Sequence, residues 1–122
     1  MNEICLRLYS RDAKKLADFY TEVFCCVEPE LKRHDVGSYY YQCDLLSNYL
    51  LEIYESSSIY EHEEVWLSTN YPERSYAKLI EFGCKIENAE NIKERIDSED
   101  IDGNKLHIIG KKMRGLTMPI IM

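Results

Sequence analysis

The stretch Leu6–Phe24, LRLYSRDAKKLADFYTEVF, changes its hydrophobic period midway, and that change decides the fold. Over Glu3 to Tyr9, apolar Ile4, Leu6 and Leu8 alternate with Cys5, Arg7 and Tyr9, the two-residue period of a strand with one face on a core. Ser10 and Asp12 then offer oxygens for a helix N-cap. Beyond them Ala13, Leu16, Ala17, Tyr20, Val23 and Phe24 recur at helical spacing. The spacing predicts a strand followed by an amphipathic helix lying on that strand's apolar face.

Working outward, Cys25 to Gly37 carries Pro29 and a charged run and reads as an edge strand with its connection. Ser38 to Leu46 is tyrosine-rich and β-prone, Ser47-Asn48 has turn chemistry, and Tyr49 to Tyr54 alternates, so these residues predict a hairpin. The polar, serine-containing segment at about 56–63 is a joint. After it the pattern restarts. Val65 and Leu67 alternate with Glu64, Trp66 and Ser68; Asn70 and Pro72 mark a helix start; Tyr76, Leu79, Ile80 and Phe82 form a stripe that Gly83 ends. A shift of about 59 residues sets Leu8 on Leu67, Tyr20 on Leu79 and Val23 on Phe82.

Lys85 to Arg95 and Arg95 to Asp100 read as short polar strands, Asp102-Gly103 as a hairpin turn, and Asn104 to Ile109 as a last alternating strand. The expected architecture is α+β: one domain of two similar strand-helix-strands halves, with the helices on the apolar faces of the strands. Half one spans about 1–55, half two about 64–110, and an apolar tail, 111–122, is expected to pack on the domain or on a second copy.

Composition narrows the partners. A chain of 122 residues, 45% hydrophobic and 30% charged, can bury one core without disulfides or a structural metal. The net charge of −7 disfavours nucleic acid and anionic membranes, whose ligands are Lys and Arg. The N-terminus lacks the basic start and apolar run of a signal peptide or membrane span, so cytoplasmic residence is expected. Five cysteines without Cys-x-x-Cys spacing indicate neither a disulfide framework nor a zinc knuckle; Cys25 and Cys26 read as core packing. His34 and His62, in charged connections, read as surface residues.

LRLYSRDAKKLADFYTEVF, YLLEIYE at 49–55, EVWLSTNYPERSYAKLIEFG at 64–83 and DIDGNKLHII at 100–109 together resemble the vicinal oxygen chelate superfamily, which includes glyoxalase I, extradiol dioxygenases, and fosfomycin- and bleomycin-resistance proteins. The resemblance implies two tandem βαβββ modules forming a curved, cup-like mixed sheet with helices on the outer face, a cup completed in short chains by homodimerisation. It also implies a divalent metal (Zn, Ni, Mn or Fe) at four positions that here are Cys5, Glu52, Glu64 and His107. Metal-dependent members carry His or Gln, Glu, His and Glu there; this chain keeps Glu52 alone, which argues against glutathione-hemithioacetal isomerisation. The four residues nevertheless all carry donor groups, and strand parity puts each on the face opposite its strand's apolar residues.

Two readings follow. One is a glyoxalase-like, metal-dependent lyase or isomerase acting on a small oxygenated substrate. The other is a non-catalytic, drug-binding protein of the bleomycin-resistance kind, with an Arg7/Glu52/Glu64 cluster replacing the metal. In either case Arg7, Tyr9, Tyr54 and Trp66 share the cup-facing parity and are expected to contact the small-molecule ligand, a planar or cationic compound being the best match.

Overall fold

A computed structural model describes residues 4–26, 28–33, 39–45, 49–57 and 62–110. The expected Ser47-Asn48 turn, His34, much of the joint and the apolar tail 111–122 lie outside the described residues. Chain order is β1 (Ile4–Ser10), α1 (Ala13–Val23), β2 (Glu30–Arg33), β3 (Tyr39–Asp44), β4 (Tyr49–Glu55), β5 (Glu64–Thr69), α2 (Pro72–Glu81), β6 (Ile86–Asn91), β7 (Arg95–Glu99) and β8 (Lys105–Gly110). This is βαβββ twice over, an α+β fold.

The strands make two open, mixed four-stranded sheets, ordered β1-β4-β3-β2 and β5-β8-β7-β6. In each, the first strand pairs in parallel with the last, and the remaining pairs are antiparallel. The parallel registers set Arg7 opposite Glu52, Tyr9 opposite Tyr54, Glu64 opposite Lys105 and Trp66 opposite His107. Alternation does what the sequence implied. Leu8, Leu51, Ile53, Val65, Leu67, Leu106 and Ile108 are buried on the helix-bearing faces. Their strand neighbours lie on the bare faces, where no helix covers them.

Both helices begin where expected. Asp12 caps α1 by accepting from the Lys15 backbone N–H at 3.2 Å. At α2 the N-cap is Tyr71, without a side-chain cap, and Thr69 Oγ1 accepts the Tyr71 N–H at 3.0 Å; Asn70 lies one residue earlier than a cap would. Gly83, at φ +73°, ends α2, and the Cys84 N–H closes back on the Leu79 carbonyl. α1 ends the same way through a Cys26 N–H to Thr21 carbonyl bond, but there the left-handed residue is Cys25, at φ +56°. Both cysteines are half-exposed at the rim of the turn that closes the helix; Cys26 packs against the core as expected, and the expectation of core packing is corrected for Cys25, which the left-handed conformation turns outward.

The halves join through their helices and through buried hydrogen bonds. Phe19 of α1 meets Phe82 edge-on, 5.0 Å between ring centroids, and Ser75 of α2 donates to the Val23 carbonyl at 2.7 Å. Tyr20, fully buried, donates its hydroxyl to Asp100 Oδ2 at 2.6 Å across 80 residues of chain. Asp100 also receives the Asp102 and Asn104 N–H groups and the Asn104 side-chain amide, which shapes the turn before β8. Burial first, and then the Asp100 charge, push the Tyr20 hydroxyl well above its usual pKa, so it stays a donor.

Removing these donors and acceptors should be costly. Tyr20→Phe is expected to lower stability by about 1.5–3 kcal/mol and Asp100→Ala by more, since the latter strands several donors. Urea unfolding measures both, and a Tyr20→Phe cost under about 0.5 kcal/mol would count against the contact. Cys25→Gly, by contrast, should raise stability by about 1 kcal/mol, because only glycine takes a left-handed φ without penalty.

Candidate functional site

The bare faces carry the residues singled out from sequence, divided between two sheets. On the first sheet, Arg7 of β1 and Glu52 of β4 are register partners, and the guanidinium Nε donates to Glu52 Oε1 at 3.0 Å. The Tyr54 hydroxyl donates to the same oxygen at 3.1 Å. Tyr54 stacks on Tyr40 at 4.9 Å and leans on Tyr9 at 5.7 Å, while the Arg7 guanidinium lies 5.9 Å from the Tyr54 ring centre. This is a tyrosine face with an arginine-carboxylate pair at its centre. The hydrogen bond to Glu52 holds the Arg7 pKa above its ordinary value, so the cation is permanent.

Cys5 sits one register step from that pair. Burial, followed by the Glu52 charge, pushes its thiol above the usual range. A thiol that keeps its proton is a poor metal ligand.

On the second sheet, Trp66 of β5 stacks on its register partner His107 of β8, 4.0 Å between ring centres and 23° from parallel. Trp66 Nε1–H donates to Glu64 Oε1 at 3.2 Å. Behind His107 lies Asp97 of β7, with Oδ1 2.6 Å from the ring Nδ1. Arg95 Nε reaches both Asp97 oxygens, at 2.9 and 3.1 Å, and Asn88 donates to Oδ2 at 3.2 Å. Burial opposes charge on Asp97, yet the hydrogen bonds from His107, Arg95 and Asn88 outweigh it and hold the carboxyl below its usual pKa.

An ionised Asp97 only accepts, so His107 Nδ1 carries a proton toward it, and Nε2 is the ring's other nitrogen. That nitrogen is buried without a hydrogen-bond partner, 3.8 Å from Glu64 Oε1. Arg95 extends its guanidinium to 5.0 Å from the Trp66 ring centre, and Trp66 still leaves 45% of its surface open. Lys105 pairs with Glu87 and Glu99 on the same sheet.

The four expected ligand positions therefore come together only in pairs: Cys5 with Glu52, and Glu64 with His107. Among the described residues no group of three or more His, Cys, Asp and Glu side chains is placed to hold a metal ion. The expected Arg7/Glu52/Glu64 cluster is likewise halved, because Glu52 and Glu64 belong to different sheets: Arg7 pairs with Glu52, and Glu64 with Trp66 and His107. Asp97, Arg95 and Asn88 were not singled out from sequence. They become visible only once β7 is known to lie beside β8. Among the described residues no helix is long and apolar enough to cross a membrane.

No protein-family model matches this sequence, and no curated protein does. Solved structures do match. The oxidase ChaP-H1 superposes with a TM-score of 0.69 at 11% identity, covering 92% of this chain and 97% of that one. FosX, a fosfomycin resistance protein from Listeria monocytogenes complexed with Mn(II) and sulfate, gives 0.66 at 12% identity, covering 93% and 95%. TnmS3, an antibiotic binding protein from Streptomyces sp. CB03234, gives 0.64 at 19% identity, covering 89% and 94%. Paired βαβββ halves and these superpositions over nearly the full length lead to one conclusion: the chain has the fold of the vicinal oxygen chelate superfamily.

Proposed function

We propose that this protein binds a planar small molecule on its aromatic sheet faces, and that Arg7 stands where a resident metal ion would otherwise balance Glu52. The carrying observation is the 3.0 Å Arg7–Glu52 contact, with Tyr54 completing it. A guanidinium at that distance already neutralises the carboxylate and repels a second cation. What remains for a ligand is aromatic surface. Trp66 is 45% exposed beside the Glu64 carboxylate, and Tyr9, 50% exposed, leans on Tyr54, whose ring the Arg7 guanidinium approaches; these charged groups can orient a polar substituent. The antibiotic-binding neighbour TnmS3 supports the reading by showing the same fold in that role.

A second reading is favoured by one observation, the buried and unpartnered Nε2 of His107 with Asp97 behind it. A carboxylate on the far nitrogen is how a ligating imidazole is oriented. In a homodimer, Glu64 and His107 of one copy would face Cys5 and Glu52 of the other. An ion held there would polarise adjacent oxygens of a bound substrate. Mn(II) in FosX supports this alternative.

Two measurements separate them. Trp66 is the sole tryptophan, so its emission reports the face directly. Titration with 9-aminoacridine, planar and cationic, should give saturable quenching, and by calorimetry Trp66→Ala should weaken binding about tenfold while leaving the fold intact. Absence of saturable binding overturns the proposal. Elemental analysis of purified protein should find far less than one equivalent of Zn, Ni, Mn or Fe per chain. A full equivalent that disappears in His107→Ala would establish the second reading instead.

A further inference from the structure

On the helix layer, away from the bare sheet faces, the end of α1 meets α2 across a cleft of about 300 Å³. Glu22, Cys25 and Cys26 line it from α1 and the turn that follows, and Arg74, Ala77 and Lys78 line it from α2. Cys25 holds a left-handed φ of +56° there. Glycine takes that conformation without penalty, so a thiol at this position is kept at a cost. Strained non-glycine positions of this kind cluster where a side chain has a task.

The five cysteines differ in how their thiols are held. Burial pushes the Cys43 thiol up to about 12 and the Cys84 thiol up to about 11, while burial followed by the Glu52 charge raises that of Cys5. These three keep their protons and are weak nucleophiles. Cys26 Sγ donates to the Phe24 carbonyl at 3.3 Å. Cys25 is half-exposed and lines the same cleft as two cations of α2.

Those cations are not equivalent. Lys78 is shared between Glu22 and Glu81, at 3.5 Å from each, whereas Arg74 lies 6.0 Å from the Tyr71 ring centre, a contact that leaves its charge in place. A guanidinium beside a half-exposed thiol favours the thiolate and draws in an anionic reagent. Strain, exposure and local charge thus coincide at one sulfur.

We propose that Cys25 is a thiol-modification site for anionic low-molecular-weight disulfides, with Arg74 attracting the reagent. The Cys25 thiolate attacks one sulfur of the disulfide and forms a new S–S bond to it. The old S–S bond breaks, and its electron pair leaves on the second sulfur, which takes up the proton that Cys25 released. One thiol and one disulfide are consumed and one of each is formed. The site does not depend on the sheet-face reading.

Glutathione disulfide, an anion, and cystamine, a dication, are the probes, and mass spectrometry with peptide mapping reads the rate and position of the first adduct. Wild-type protein should take its first glutathionyl group on Cys25. Cys26→Ser should keep that adduct, and Cys25→Gly, at a φ that suits glycine, should lose it. Arg74→Gln should slow glutathione disulfide about threefold without slowing cystamine, and added salt should slow glutathione disulfide on the wild type. Unchanged urea midpoints show that Cys26→Ser and Arg74→Gln fold. A first adduct on another cysteine, its loss in Cys26→Ser, a Cys25→Gly variant that reacts as fast as wild type, or an Arg74→Gln variant that slows both disulfides equally or neither would each overturn the proposal.

Discussion

The hydrogen bond from Tyr20 to Asp100 is the constraint on which the arrangement depends. It runs from the middle of α1 to the turn before β8, and both groups are buried. Tyr20 needs an acceptor that α1 does not contain, and Asp100 needs the hydroxyl to complete the donor set that forms its turn. The apolar contacts of α1 and α2 bring the halves together without direction. This polar contact, with the Ser75–Val23 hydrogen bond, fixes how they sit, and through the turn it fixes where β8 begins, hence where His107 lands opposite Trp66.

The two halves repeat in order and in register but not in chemistry. In both, the parallel pair at one side of the sheet brings a charged or aromatic residue of the first strand onto a titratable residue of the last. In the first half this gives Arg7 on Glu52, a closed ion pair among tyrosines. In the second it gives Trp66 on His107, with Asp97, Arg95 and Asn88 stacked behind as a supporting layer. One face is electrostatically satisfied; the other retains an unpartnered nitrogen. The duplication supplies geometry, and side-chain choice at a few positions decides what each face can recognise.

Much of this was legible in the sequence, for a physical reason: strand parity and helix period are local. The alternation around Leu6 and Leu8, the stripe from Ala13 to Phe24 and their restart at Val65 were enough to locate the strands, the helices and the residues of the bare faces. What parity leaves open is which strand lies beside which, and whether residues on two sheets meet. Glu52 and Glu64 share parity but belong to different sheets, so the expected three-membered cluster with Arg7 is divided. Asp97 lies on a strand that reads merely as short and polar, and its role follows from the β7–β8 register alone. His62 does read as a surface residue, and it is exposed; its place against Gly103 depends on a turn conformation that spacing does not report. Cys25 looked like a core residue because helix periodicity does not announce a left-handed turn.

The parallel pairing of β1 with β4, and of β5 with β8, has a consequence for how the protein is made. Arg7 and Glu52 are 45 residues apart in the chain. A parallel pair cannot be closed by a tight turn; the intervening helix and hairpin have to be in place before the last strand finds the first. Recognition on either sheet face therefore belongs to the finished half and not to any fragment of it. A ligand that requires the completed face draws the chain toward its folded state as it binds, so occupancy of the sites and integrity of the fold rise and fall together.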